Sequence, residues 1–144
     1  MTNRTNFGWN IALWASQILL AAAFGLVGFM KTTMPIAELA HMFVWPGQVP
    51  EALVRFIGLA ELSGAVGLVL PALTRIAPVL TPVAALSLIV LLACASVYDV
   101  AHGVFHSLGL IVVFVLMAAF IAWGRLRKVV IGARGGERSA APQS

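Results

Sequence analysis

Apolar residues run through this chain in four long stretches, and polar residues collect between them. The stretches are roughly Trp9–Met30, Glu51–Leu73, Ile76–Tyr98 and Phe105–Trp123. Each holds on the order of 20 residues, the length a helix needs to cross about 30 Å of hydrocarbon. None alternates with the period of two, in segments of about 10 residues, that a spanning strand requires. The pattern predicts an all-α fold, a four-helix transmembrane bundle. Pro46, Gly47 and Pro50 break the chain before the second helix, and Pro71, Thr74 and Arg75 end it. Thr81-Pro82 suits a helix start, with Thr as cap and Pro in the first turn. That start leaves a marginal span, so the third helix is expected to begin near Ile76 and to kink at Pro78/Pro82. Gly103 marks the turn into the fourth.

Composition agrees. The 144 residues are 61% hydrophobic and 10% charged, against about 25% charged in soluble domains, and the mean hydropathy is +1.01. One polytopic membrane domain is expected over residues 1–128, with a flexible cytoplasmic tail over 129–144 that is rich in Gly, Ser, Ala and Pro. Ala21-Ala22-Ala23 after Arg4 mimics a signal-peptide cleavage site. The apolar stretch nevertheless runs on to Phe29, longer than a typical signal core, so the segment is expected to remain as a helix.

Basic residues set the orientation. Arg4, Arg75, Arg125, Arg127, Lys128, Arg134 and Arg138 fall on one side of the predicted topology, and only Lys31 and Arg55 on the other. This bias places both termini in the cytoplasm. The pI near 10.3 is then a topology signal. No basic soluble module exists to bind nucleic acid. The Arg125–Lys128 cluster is expected among anionic headgroups.

The polar chemistry collects on the non-cytoplasmic half. The first connection, Lys31–Pro50, is longer than an ordinary helix–helix link. Within it, Ile36, Leu39, Ala40 and Phe43 share one helical face, which predicts a short interfacial helix, with Trp45 as its anchor. Glu51 and Arg55 stand at i,i+4, the spacing of an ion pair. Glu61 lies within the second span, where a carboxylate costs from roughly 3 kcal/mol upward. It is expected to face the bundle interior, either fixing packing through Gln17 at comparable depth or serving proton transfer and polar substrate contact. Ala60-xxx-Gly64 and Ser63-xxx-Gly67 are close-packing patterns. Asp99, His102 and His106 fall at i, i+3 and i+7, but Gly103 interrupts the helix between the histidines. They read as polar residues bounding a turn, as contacts to a quinone headgroup, or as a proton relay, ahead of a metal site. Together these residues predict a cavity lined by Lys31, Arg55, Glu61 and Asp99 or His102. The single cysteine, Cys94, excludes a dithiol centre and reads as a packing residue.

The run Arg55-Phe-Ile-Gly58-Leu-Ala-Glu61-Leu-Ser-Gly64-Ala-Val-Gly67-Leu-Val-Leu-Pro71, then Thr81-Pro82-Val-Ala-Ala-Leu, resembles the DoxX-like family of small bacterial membrane proteins. Phe29-Met-Lys31 and Ala122-Trp-Gly124-Arg125 add to the resemblance, which covers roughly residues 10–125. It implies a four-helix bundle in the bacterial inner membrane. The family's namesake resembles a subunit of a quinone-reducing sulfur-oxidation complex, and related proteins are linked to membrane redox complexes and to chaperoning. The residues carried over are Arg55, Gly58, Glu61, Gly64 and Pro71, with Lys31 more weakly, and none is an established catalytic residue by this resemblance. The expected function is that of an accessory or partner-binding subunit of a membrane complex, with a membrane-protein partner or a second copy of the chain. The alternative is a quinone-linked oxidoreductase component or a small-molecule enzyme that uses Glu61 as its intramembrane acid.

Overall fold

The computed structural model describes residues 2–43, 45–128 and 131. Five α-helices follow one another: α1 Thr2–Thr33, α2 Ile36–Met42, α3 Glu51–Thr74, α4 Leu80–Ala101 and α5 Leu108–Trp123. No strand occurs among the described residues. Four helices, all but the short α2, are long and apolar enough to cross a membrane. The chain forms a four-helix bundle and is a multi-pass membrane protein. α1 packs on α3, α3 on α4, α4 on α5 and α5 back on α1, which closes the ring.

The core draws on all four spanning helices, through Leu20, Phe24, Leu68, Leu88, Ala118 and Ile121 among others. Large apolar side chains such as Phe29, Phe56, Leu73, Val90 and Leu116 are exposed on the outside. A bundle whose outer surface meets lipid has no reason to bury them, and small residues at helix contacts are what bring backbones together. That contact is closest between α1 and α3. A Cβ on Gly28 would lie 2.8 Å from the Gly58 carbonyl oxygen, and one on Gly58 would lie 2.8 Å from Lys31 Cβ. Gly64 and Gly67 make the corresponding approach to Leu88 and Ala84 of α4. The glycines of the two close-packing patterns are therefore contact points on α4, whereas Ser63 is exposed and bonds back to the Leu59 carbonyl.

Helix ends depart from the expected ones for local reasons. α4 begins at Leu80, not near Ile76. Arg75 and Ala77 both adopt left-handed conformations, with φ of 58° and 47°, and Pro78 follows directly. This compact turn stays off the helical path until Leu80. α4 still spans, because it runs on to Ala101, and 22 residues reach about 33 Å. Gly103 at φ 72° makes the turn, and α5 starts at Leu108 because Phe105–Ser107 belong to that turn. α5 ends in a π-helical turn over Gly124–Lys128. The expected tail lies outside the described residues, apart from Ile131.

Candidate functional site

The short helix α2 forms in the α1–α3 connection as expected, with Leu39 fully buried beneath it. A 3₁₀ turn over Trp45–Gly47 follows. This connection covers one end of the bundle, and a cavity of about 450 Å³ lies under it. Its walls come from Leu53, Phe56, Ile57 and Glu61 of α3, from Leu91, Cys94, Ala95, Tyr98 and Asp99 of α4, and from Phe43, Trp45 and Val49 of the connection. The walls are mostly apolar. The exceptions carry the chemistry.

Lys31 Nζ donates to Glu61 Oε1 at 2.6 Å. Both residues are 6% exposed, so the pair is buried. The register of α1 and α3 creates it. Gly28-x-x-Lys31 and Gly58-x-x-Glu61 run antiparallel, with the glycines in contact. Lys31 Cβ is therefore level with Gly58, and Glu61 Cβ is level with Gly28. The offset is three residues, about 4.5 Å, which a lysine side chain spans. The rings of Phe43 and Trp45 lie 5.8 and 5.1 Å from the ammonium, within cation–π range. Glu61 Oε2 is buried and has no hydrogen-bond partner among the described residues. The site thus offers an ammonium with donors beyond the one used, next to a carboxylate oxygen with its lone pairs free.

Arg55 holds the lysine in place from behind. Its Nη1 donates to the carbonyls of Lys31 and Met34 at 2.7 and 2.8 Å. These belong to the last turn of α1 and the residue after it, where carbonyls lack helical partners. Its Nε and Nη2 donate to Glu51 Oε1 at 3.2 and 2.8 Å. Arg55 therefore does not line the cavity as expected. It is paired at the i,i+4 spacing and acts as a clamp between α3 and the end of α1.

The sequence model of the DoxX-like family matches residues 15–122. The chain belongs to the DoxX-like family. Comparison with curated proteins and with solved structures gave no match. The ion pair, its arginine clamp and the cavity all lie within the matched DoxX-like segment.

Gln17 corrects one expectation. It does not meet Glu61. Its amide donates to the Leu68 carbonyl, and its Oε1 accepts from Arg125 Nε at 2.7 Å. The antiparallel register of α1 and α3 sets Gln17 beside the Leu68–Ala72 turn, some 16 Å along the axis from Glu61. His102 corrects another. It caps α4, stacks on Tyr98 with ring centroids 4.0 Å apart, and its Nδ1–H donates to the Tyr98 carbonyl at 2.8 Å; it does not line the cavity. Asp99 does line it, and accepts from the Ser107 hydroxyl. His106 lines it as well, so the Asp99, His102 and His106 cluster is split by the Gly103 turn. Cys94 is exposed on the cavity wall, where a packing role had been expected.

Three contributors were not singled out from the sequence as parts of the site. Phe43, expected on a helix face, and Trp45, expected as a surface anchor, both turn inward over Lys31. The Tyr98 hydroxyl donates to Gln48 Oε1 at 2.9 Å and ties the connection to α4. The two G-x-x-charge patterns, Gly28–Lys31 and Gly58–Glu61, were the legible signal for the ion pair.

Proposed function

We propose that this DoxX-like protein binds the polar head of a lipophilic molecule, of the quinone class, in the cavity between α3 and α4. The Lys31–Glu61 pair carries the reading. A quinone carbonyl accepts from the Lys31 ammonium, and a hydroquinone hydroxyl donates to Glu61 Oε2. The apolar walls take the ring and the start of its tail, and lipophilic ligands of this kind favour largely apolar sites with a few convergent polar groups. In this reading Glu61 is the proton acceptor of the site, and Asp99 with Ser107 is the polar rim.

One cysteine in the sequence provides no dithiol, so electron exchange with a quinone held here needs a bound cofactor or a partner, and this reading takes a partner. The protein then serves as an accessory subunit of a membrane complex, which joins the two functions expected from the sequence. The reading also takes the basic end, with Arg75, Arg125, Arg127 and Lys128, as cytoplasmic, and the cavity as open toward the outer half of a bacterial inner membrane.

The test is a titration of the purified protein with decylubiquinone, followed by tryptophan fluorescence. Quenching is expected to saturate, to vanish in Trp45→Phe, and to require about tenfold or more quinone in Glu61→Leu. Quenching that does not saturate, or that is the same in Glu61→Leu, overturns the proposal.

A further inference from the structure

The end of the bundle opposite the cavity holds a second buried charge, and this one has no counter-ion among the described residues. Arg125 is 4% exposed. Its Nε donates to Gln17 Oε1 at 2.7 Å and its Nη1 to Asn10 Oδ1 at 3.1 Å. Both acceptors are neutral amides. The guanidinium carbon lies 5.4 Å from the Trp14 ring. Nη2 is buried and has no hydrogen-bond partner among the described residues. The acids among the described residues, Glu38, Glu51, Glu61 and Asp99, belong to the other end. The distance along α1 from Gln17 to Lys31 alone is about 21 Å.

A buried cation held only by amides is costly unless something pairs with it. The fold nonetheless builds this position. Gly124 lets the end of α5 press on Leu13, where any side chain would collide, and the π-helical turn from Gly124 to Lys128 turns Arg125 inward. π-turns recur at functional sites. A cavity of about 160 Å³ lies next to Arg125, lined also by Leu126, Ile131, Pro78, Val79 and Pro82. Pro78, Val79 and Pro82 surround the start of α4, whose N-terminus carries the positive end of the helix dipole. The hydroxyl of Thr81, in the same turn, is also buried without a partner among the described residues. Arg127 and Lys128 are exposed nearby.

We propose that this cavity binds a phosphate-bearing anion on Arg125. The guanidinium supplies the counter-charge and Nη2 the free donor, in a geometry that suits phosphate oxygens. The helix dipole of α4 and the exposed basic residues favour the same charge. The phosphate comes either from the headgroup of an anionic lipid or from solution.

The full chain is purified in a neutral detergent, and its thermal unfolding is followed by tryptophan fluorescence. The additions are phosphatidylglycerol, a diacylglycerol with the same chains, and inorganic phosphate. Phosphatidylglycerol is expected to raise the midpoint by about 5 °C or more at a hundredfold excess over its Kd, and the diacylglycerol to leave it unchanged. A rise with phosphatidylglycerol alone assigns the site to a lipid headgroup, and a rise with inorganic phosphate assigns it to phosphate itself. Arg125→Gln abolishes the rise. Should that variant fail to fold, Val79→Trp blocks the cavity from an exposed position, leaves the Arg125 bonds intact, and is expected to abolish the rise as well. No rise with either phosphate source, an equal rise with the diacylglycerol, or a full rise in Val79→Trp overturns the proposal.

Discussion

Arg55 grips the backbone carbonyl of Lys31 at 2.7 Å while the Lys31 side chain reaches the other way to Glu61. Two like charges thereby divide one task. The arginine fixes the end of α1, and the lysine, held by that end, reaches the carboxylate of α3. Glu51 completes the set by neutralising the arginine.

The clamp has a measurable share in stability. Arg55→Gln is expected to lower unfolding stability by about 1–3 kcal/mol, because carbonyls at the end of α1 lose a charged donor. Thermal or denaturant unfolding in detergent reads this directly. Glu51→Gln leaves the two carbonyl bonds intact and removes only an exposed ion pair, so its cost is expected to stay below about 1 kcal/mol.

Breaking the buried pair from one side is more severe. Lys31→Met or Glu61→Leu alone is expected to cost about 3–5 kcal/mol, since each strands its partner charge. The double variant is expected to be more stable than the sum of the two single losses. A double-mutant cycle by unfolding checks this, and strict additivity would show that the pair does not couple.

Glycine substitutions separate contact from propensity. Gly58→Ala brings a Cβ to 2.8 Å from Lys31 Cβ and 3.0 Å from the Gly28 carbonyl oxygen. It is expected to push α1 and α3 apart and to destabilise by about 1–3 kcal/mol. Gly109→Ala meets nothing within 4 Å and sits in α5, so it is expected to be neutral or to stabilise by up to about 1 kcal/mol. Unfolding midpoints of the two variants should move in opposite directions or differ clearly.

Topology is testable without the site. Reporter fusions near residue 40 are expected to signal from the outer side, and those near residue 75 from the cytoplasm. A cytoplasmic signal from the Glu38–His41 helix would reverse the orientation drawn from the basic residues.

Much of the fold was legible because hydrocarbon imposes length and apolarity on every spanning helix. The spans at Glu51 and through Trp123 agree with the pattern closely. The start of α4 was not legible, because two non-glycine residues, Arg75 and Ala77, take left-handed conformations that no composition rule marks. Within the site, the burial of Glu61 and the i,i+4 partnership of Arg55 with Glu51 followed from depth and spacing. The partner of Glu61 did not. Depth counted from the ends of stretches put Gln17 beside it, whereas the Gly28–Gly58 contact sets the true register and puts Lys31 there. His102 and His106 share a face only on an unbroken helix, and Gly103 breaks it. The inward turn of Phe43 and Trp45 depends on where α1 ends, and Arg55 fixes that end from another helix.

The decisive measurement is mass spectrometry of the lipophilic molecules that co-purify with the folded protein, compared between wild type and Glu61→Leu. The wild type is expected to carry a quinone-class molecule near one per chain, and the variant to lose most of it while remaining folded by tryptophan fluorescence. Equal occupancy in both, or a wild-type protein that carries phospholipid and no quinone, would contradict the assignment of the Lys31–Glu61 cavity.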